Sequence, residues 1–128
     1  MASIPNVTIL DGPTPTVPRE DVIMVGAGGE ASFLVTQEPM PGLGDAYTEL
    51  VHIICSLWSY SGSTDMKPRR DRAAAMLELV ATALHADRKL GGACDIVSMG
   101  PELEWLQQSD TSGAACSIGF AITAKTVI

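Results

Sequence analysis

The segment from residue 114 to residue 125 alternates strictly between two sets of side chains. One set is apolar throughout: Ala114, Cys116, Ile118, Phe120, Ile122 and Ala124. The other set is small or polar: Ala115, Ser117, Gly119, Ala121, Thr123 and Lys125. Because the side chains of a strand point alternately to its two faces, this pattern predicts one long β-strand with a buried face. The rest of the chain must therefore supply a sheet for this strand and a cover for its apolar face.

A second long strand is predicted over residues 47–60. Its apolar side chains fall on both faces, with Val51, Ile53, Cys55 and Leu57 on one and Leu50, Ile54, Trp58 and Tyr60 on the other. A strand that is apolar on both faces is typical of the centre of a sheet. We expect it to be covered on both sides within the subunit, or on one side by another subunit.

One amphipathic helix is predicted between these two strands, over about residues 69–86. Its apolar side chains recur at helical spacing: Ala73, Met76, Leu77, Val80, Ala83 and Leu84. Gly91 and Gly92 follow the stripe and mark its end. Such a helix would be about 27 Å long, enough to cross one face of a sheet.

The remaining segments predict shorter strands and an arm. Two β-prone runs, 22–25 and 31–36, flank the glycine-rich segment 26–29 and predict a hairpin. Further strand pieces are predicted over 93–99 and 102–107. Four prolines in the first eighteen residues predict an extended arm over 1–20, with at most a short edge strand at 7–10. The predicted fold is a single α+β domain (1–128) with its core in 21–128: a mostly antiparallel sheet with the one long helix packed on it.

Composition excludes several classes of protein. The chain has 128 residues, a formal charge of −7 and only 5% aromatic residues. The acidic excess argues against a protein that clamps nucleic acid, because phosphate contacts require clustered Lys and Arg, but it does not exclude a protein past which DNA slides. The sequence predicts no secretory signal and no membrane span, so we expect a protein that is made and kept in a cytoplasm.

No catalytic, cofactor or metal site is predicted, and the chain is not expected to be an enzyme. The segment 25–31 half resembles a dinucleotide-binding loop, but a β-prone run follows it where a helix would have to begin. His52 and Cys55 are three positions apart on one strand and so point to opposite faces, which disfavours a nucleophile and base pair. Cys55, Cys94 and Cys116 lack metal-binding or disulfide spacing and are expected to be buried, reduced thiols.

Charge is distributed unevenly along the chain. Half of the eight basic residues lie at the start of the predicted helix: Lys67, Arg69, Arg70 and Arg72. Residues 1–50 hold seven acids, Glu49 among them, against Arg19 alone. The basic cluster has three interpretations: a solvated helix face, a contact between subunits in which it meets acids such as Glu49, or a nucleic-acid patch. The third is disfavoured by the net charge.

Several segments together resemble the tail terminator proteins of long-tailed bacteriophages, particularly the short ones from phages of actinobacteria. These segments are the strand carrying Glu49 and ending in WSYSG (58–62), the helix with its ending ALHADRKLGG (83–92), the β segment with Trp105 and Gln107, and the final strand starting GAAC (113–116). The resemblance covers residues 47–126 and includes no catalytic motif. The proline-rich start and the turn at 26–29 are not part of it.

The resemblance implies a structural virion protein that needs no cofactor. Its α+β subunits would form a homohexameric ring that caps the head-proximal end of the tail tube, stops tube polymerisation and joins the tail to head-neck proteins. DNA would pass through the ring as cargo, without sequence-specific binding. Acids in the early loops are candidates to face the lumen or a partner: Asp11, Glu20, Asp21, Glu38 and Asp45. The protein would be assembled in the host cytoplasm and located in the virion.

Two alternatives remain open from the sequence. The first is another component of the phage neck, such as a head-tail connector or stopper, which would retain a partner on the portal side instead of the tube protein. The second belongs to a different class: a small acidic protein-binding module unrelated to phages. That module would form a defined complex with its partner and no ring.

Overall fold

The computed structural model describes residues 7–12, 21–27, 33–39, 47–100 and 102–127. Within these ranges the chain forms a mixed β-sheet with one long helix, so the predicted α+β class is confirmed. The elements, in chain order, are β1 (Thr8–Asp11), β2 (Val22–Val25), β3 (Phe33–Pro39), β4 (Tyr47–Ser61), α1 (Lys67–Ala86), a 3₁₀ turn (Leu90–Gly92), β5 (Ile96–Met99), β6 (Glu104–Asp110) and β7 (Gly113–Val127). The prolines of the predicted arm lie outside the described residues.

The two long strands form the centre of the sheet. β4 and β7 are antiparallel neighbours, and their pairing runs without interruption from Thr48 opposite Val127 to Ser61 opposite Ala114. Both strands were predicted from their side-chain patterns. Both predictions are confirmed, with the strand ends within one or two residues of the predicted ones. The apolar face of β7 lies against the helix, as its alternation indicates.

Each central strand carries two shorter strands, one after the other, on its outer edge. β2 and β3 both pair with β4, while β5 and β6 both pair with β7. All of these pairs are antiparallel, and β1 adds to the outer edge of β2 as a parallel strand. The short edge strand predicted at 7–10 is thus found as β1, displaced by one residue.

The predicted hairpin between 22–25 and 31–36 is wrong. Val25 lies opposite Cys55 and Phe33 lies opposite Ile53, so β2 and β3 follow one another along the same edge of β4 and run in the same direction. Only Ile54 of β4 lies between the residues that pair with the end of β2 and with the start of β3. β4 is long enough to pair with both strands in series. This pairing between distant segments, and not a local turn, determines how β2 and β3 are arranged. The hairpin that does form joins β3 to β4, with Pro39 opposite Tyr47.

The helix covers one face of the sheet. It begins at Lys67, two residues before the predicted start, and packs on β4, β5 and β7 through its buried residues Ala73, Met76, Val80 and Leu84. Opposite them lie core side chains from the sheet: Ile23, Cys55, Leu57, Val97, Cys116, Ile118, Phe120 and Ile122. On the opposite face of β4, Leu50, Ile54 and Trp58 are only partly buried. The helix therefore supplies the cover that β7 requires and leaves the second face of β4 less protected.

Candidate functional site

The basic cluster at the start of α1 divides into two pairs of side chains. Arg69 and Arg72 are three positions apart on the face of the helix that turns toward the sheet, and both are largely buried, whereas Lys67 and Arg70 point outward and are exposed. Residues three apart on a helix lie on one face, so this division follows from the sequence spacing. The two pairs have different contacts and are considered separately.

The inward pair surrounds a single carboxylate. Asp21 Oδ2 lies 2.7 Å from Arg72 Nε, and Asp21 Oδ1 lies 3.8 Å from Arg69 Nη1. The Asp21 side chain is only 15% exposed, and it directly precedes β2. This ion pair places an anion beside the first turns of the helix, where the macrodipole disfavours two cations.

Ser59 completes this cluster from the sheet. Its hydroxyl group, which is fully buried, donates a hydrogen bond to Asp21 Oδ1 (2.8 Å) and accepts one from Arg69 Nη1 (2.9 Å). Arg69 Nη1 also donates to the Tyr60 carbonyl oxygen at 3.1 Å. The cluster therefore ties the start of the helix to the start of β2 and the end of β4.

This arrangement bears on two interpretations that were made from the sequence. Asp21, interpreted from the sequence as an acid that faces the lumen or a partner, instead has its carboxylate against two arginines of its own chain. Arg69 and Arg72 are thus compensated within the subunit, whereas Lys67 and Arg70 are exposed. A role for Arg69 and Arg72 between subunits stays a prediction.

The outward pair lies next to β6. Lys67 Nζ lies 2.7 Å from Asp71 Oδ2, with both side chains mostly exposed, an arrangement that is worth little in free energy. Arg70 Nη1 donates to Gln107 Oε1 at 3.0 Å, and among the described residues no carboxylate forms an ion pair with it. Arg70 is therefore an exposed cation held beside an edge strand by a neutral amide.

Glu49 lies one strand inward from the opposite edge of the sheet, paired with Gln37 of the edge strand β3. It lies near the start of β4, where its Oε2 accepts a hydrogen bond of 3.0 Å from Gln37 Nε2 of β3. No cation pairs with Glu49 within the part of the chain that the structure describes. Of the other predicted acids, Asp11 at the end of β1 and Glu38 on β3 are exposed. Glu20 and Asp45 lie outside the described residues.

The strands beside these two charges expose large apolar side chains that the sequence did not single out. Every residue of β3 and every residue of β6 is exposed. On β3, Phe33, Leu34 and Val35 are each more than half exposed, while on β6 Trp105 is 43% and Leu106 is 51% exposed. Both segments have apolar residues that indicate strands, but they are exposed because the helix packs chiefly on β4, β5 and β7.

Cysteines and a histidine are among the titratable groups of the described sheet. Cys55, Cys94 and Cys116 are buried and free, as expected, and burial raises the pKa of the Cys55 and Cys116 thiols above the ordinary value of 9.0. His52 Nδ1 lies 3.0 Å from Thr123 Oγ1 on the face of β4 opposite Cys55. In the described ranges no three His, Cys, Asp or Glu side chains are grouped so that they could hold a metal ion.

A cavity of about 260 Å³ lies between the end of α1 and β5. Its lining is mainly apolar, with Leu84, Ile96 and Met99. His85 and Arg88 also line it, with 2.9 Å between His85 Nδ1 and Arg88 Nη2.

The described residues contain no helix with the length and hydropathy required to cross a membrane. No protein-family model matches the chain, and no curated protein matches it.

Proposed function

We propose that this protein is a structural subunit that resembles phage tail terminators. Its copies form a ring that caps the head-proximal end of the tail tube, stops tube polymerisation and joins the tail to head-neck proteins. The sequence resemblance over residues 47–126 motivates the proposal. The observation that carries it is the exposure of two apolar edge strands, β3 and β6, which together suit a subunit that must contact other subunits.

The exposed large apolar residues of the described chain are concentrated on and beside these two strands. Seven of the exposed large apolar residues lie on or beside the two strands: Phe33, Leu34, Val35, Tyr47, Leu103, Trp105 and Leu106. Large exposed apolar patches mark protein interaction sites. An edge strand with free backbone groups is itself a template for pairing with another chain. Both features support assembly.

The charge distribution supports a ring through which DNA passes. Asp11 and Glu38 are exposed acids, and the net charge of −7 opposes tight binding of phosphate. A wall that repels the DNA backbone lets the duplex slide instead of holding it. Lining of the lumen by Asp11, Glu38, Glu20 or Asp45 is part of this proposal.

Assembly and tube capping are the decisive properties to measure. Mass photometry and negative-stain electron microscopy of the purified chain should reveal a hexameric ring at high protein concentration. Added to polymerising tail tube protein, the chain should bind one end of each tube and stop its growth. The number and length of tubes, with and without the chain, give the readout.

The outcomes separate the proposal from its alternatives. A chain that stays monomeric and leaves tube length unchanged contradicts the proposal. Retention of a portal-side adaptor, with no binding to tubes, would instead indicate a connector or stopper of the phage neck. A defined complex with a single partner and no ring would indicate a protein-binding module.

A further inference from the structure

β3 and β6 are two free edges of the same sheet. Each is seven residues long, and each pairs on one side only, β3 with β4 and β6 with β7. Among the described strands, none pairs with the outer edge of either. They lie on opposite edges of the sheet and near opposite ends of the central strands, so one subunit presents two different edges.

The two edges carry opposite uncompensated charges on the same face of the sheet. Glu49 lies on the face of β4 that also holds Cys55 and Leu57, the face covered by the helix. Gln107 lies on that face too, since it is opposite the buried Cys116, and it holds Arg70 of the helix. Beside β3, the anion Glu49 is thus hydrogen-bonded to Gln37. Beside β6, the cation Arg70 is hydrogen-bonded to Gln107.

The strand directions allow the two edges to join in one continuous sheet. β3 and β6 are antiparallel to β4 and β7 respectively, and β4 and β7 are antiparallel to each other. β6 therefore runs opposite to β3. If a second copy is placed beside the first with its helix on the same side, its β3 is antiparallel to the first copy's β6, and the alternation of the sheet continues.

We propose that the contact between subunits is a pairing of β3 from one copy with β6 from the next, in which Glu49 approaches Arg70. The occupant of each edge is thus a second copy of this chain. This inference rests on the proposed ring and names its joint. Phe33 and Val35 then share the helix-side face with Trp105 across the joint, which removes their apolar surfaces from water.

Charge favours this pairing over pairing of identical edges. Two β3 edges related by a two-fold axis would bring the Glu38 and Glu49 carboxylates of both copies toward each other. Two β6 edges related in the same way would bring the Arg70 side chains of both copies toward each other. The unlike pairing alone brings Glu49 near Arg70, and like charges at a joint cost free energy. It is also a heterologous contact, which repeats from copy to copy and closes into a ring.

The positions of the two strands also constrain the ring. β3 lies beside the first half of β4, while β6 lies beside the end of β7 that pairs with the last residues of β4. Each repeat of the contact therefore displaces the next copy along the strands. A closed sheet accommodates such a displacement when its strands run obliquely to the ring axis.

Charge reversal tests the joint directly. We expect Glu49→Arg and Arg70→Glu each to raise the protein concentration at half-assembly about tenfold at low salt. An equal mixture of the two variants should assemble like the wild type, because every joint contains one Arg and one Glu when the two variants alternate around the ring. Arg88→Glu, which reverses an exposed arginine at the far end of the helix, is the matched control. Circular dichroism verifies that each variant is folded.

Exposed apolar positions provide a second test that does not depend on charge. Leu34→Lys and Leu106→Lys change side chains that are 55% and 51% exposed, so the fold should tolerate them. A lysine on an edge strand opposes strand pairing, and both variants should remain monomeric at concentrations where the wild type forms rings. Thr82→Lys on the exposed helix surface is the control.

The results distinguish failure of this inference from failure of the proposed function. If the wild type forms rings and the reversals and the lysine variants form them equally well, the β3–β6 joint is wrong and the ring stands. If the variants disrupt an assembly that is an open filament, the joint stands and the capping function is overturned. If the wild type neither assembles nor binds tube ends, both are overturned.

Discussion

Arg72 Nε lies 2.7 Å from Asp21 Oδ2, although the two residues are 51 positions apart in the chain. This contact fastens the start of the helix to the start of β2, and Ser59 and Arg69 enclose the same carboxylate from the sheet and the helix. Half of the basic cluster is thus compensated by a largely buried carboxylate of the same chain, whereas Lys67 and Arg70 are exposed.

Neutralising Asp21 should destabilise the subunit. Asp21→Asn leaves two largely buried guanidinium groups without their anion, and we expect the free energy of unfolding to fall by about 1–3 kcal/mol. Urea unfolding followed by circular dichroism measures it. Asp71→Asn removes the exposed partner of Lys67 and should change the same quantity by less than about 0.5 kcal/mol. Equal losses in the two variants would contradict a stabilising role for the buried cluster.

Ser59 should contribute through its position between opposite charges. Ser59→Ala removes a buried hydroxyl group that both accepts from Arg69 and donates to Asp21, and we expect a loss of about 1–3 kcal/mol. Ser98→Ala, an exposed serine of β5, is the control and should lie within about 0.5 kcal/mol of the wild type. Thermal unfolding of both variants provides the measurement, and an unchanged melting temperature for Ser59→Ala would show that the bridge is dispensable.

Gly113 should not tolerate a side chain. It has a φ of +150°, and a Cβ atom there would collide with the carbonyl oxygen of Ser61 on the neighbouring strand. Gly113→Ala should therefore cost at least about 1–3 kcal/mol. Gly62→Ala is a close control, because a Cβ atom at that position meets no atom within 4 Å. Similar unfolding midpoints in urea for the two variants would mean that the β6–β7 turn is less constrained than the geometry indicates.

The buried thiols should make stability fall at alkaline pH. Burial raises the pKa of Cys55 and Cys116 above 9.0, so above about pH 9 the unfolded chain releases protons that the folded chain retains. Stability contributed by the neutral thiols is therefore present at neutral pH and decreases as the pH rises past the unfolded value. Each thiol can contribute a slope of at most about 1.4 kcal/mol per pH unit.

Replacement of the thiols isolates this contribution. The double variant Cys55→Ala, Cys116→Ala should lose less free energy of unfolding between pH 8 and pH 10 than the wild type, even though it is less stable at pH 7. Parallel pH profiles for the two proteins would contradict the assignment. In the folded wild type, iodoacetamide should modify these thiols slowly at pH 8, and unfolding in urea should accelerate the reaction.

The order of elements could largely be predicted from local patterns. The period of two over residues 114–125 and the helical stripe from Ala73 to Leu84 are each set by neighbours in sequence, so β7 and α1 were found with small errors at their ends. The pairing of β2 and β3 could not be predicted in this way. Their glycine-rich connection indicates a local hairpin, and only the length of β4 shows that both strands fit along one edge.

The candidate surfaces could likewise be predicted only in part from the sequence. The spacing of Arg69 and Arg72, and of Lys67 and Arg70, could be read from the sequence, because residues three apart share a helix face. The anion that meets the inward pair could not be read in this way, because Asp21 is 51 positions from Arg72 and reaches the helix only in the folded chain. The exposure of β3 and β6 likewise depends on where the helix ends its cover.

The sequence by itself determined the two long strands, the one helix and the uneven placement of charge, since these depend on side chains within a few positions of each other. The tertiary structure alone decided which arginines are compensated within the subunit and which edges of the sheet stay open. The reason is physical: pairing partners are chosen by contacts between distant segments, and local periodicity carries no information about that choice.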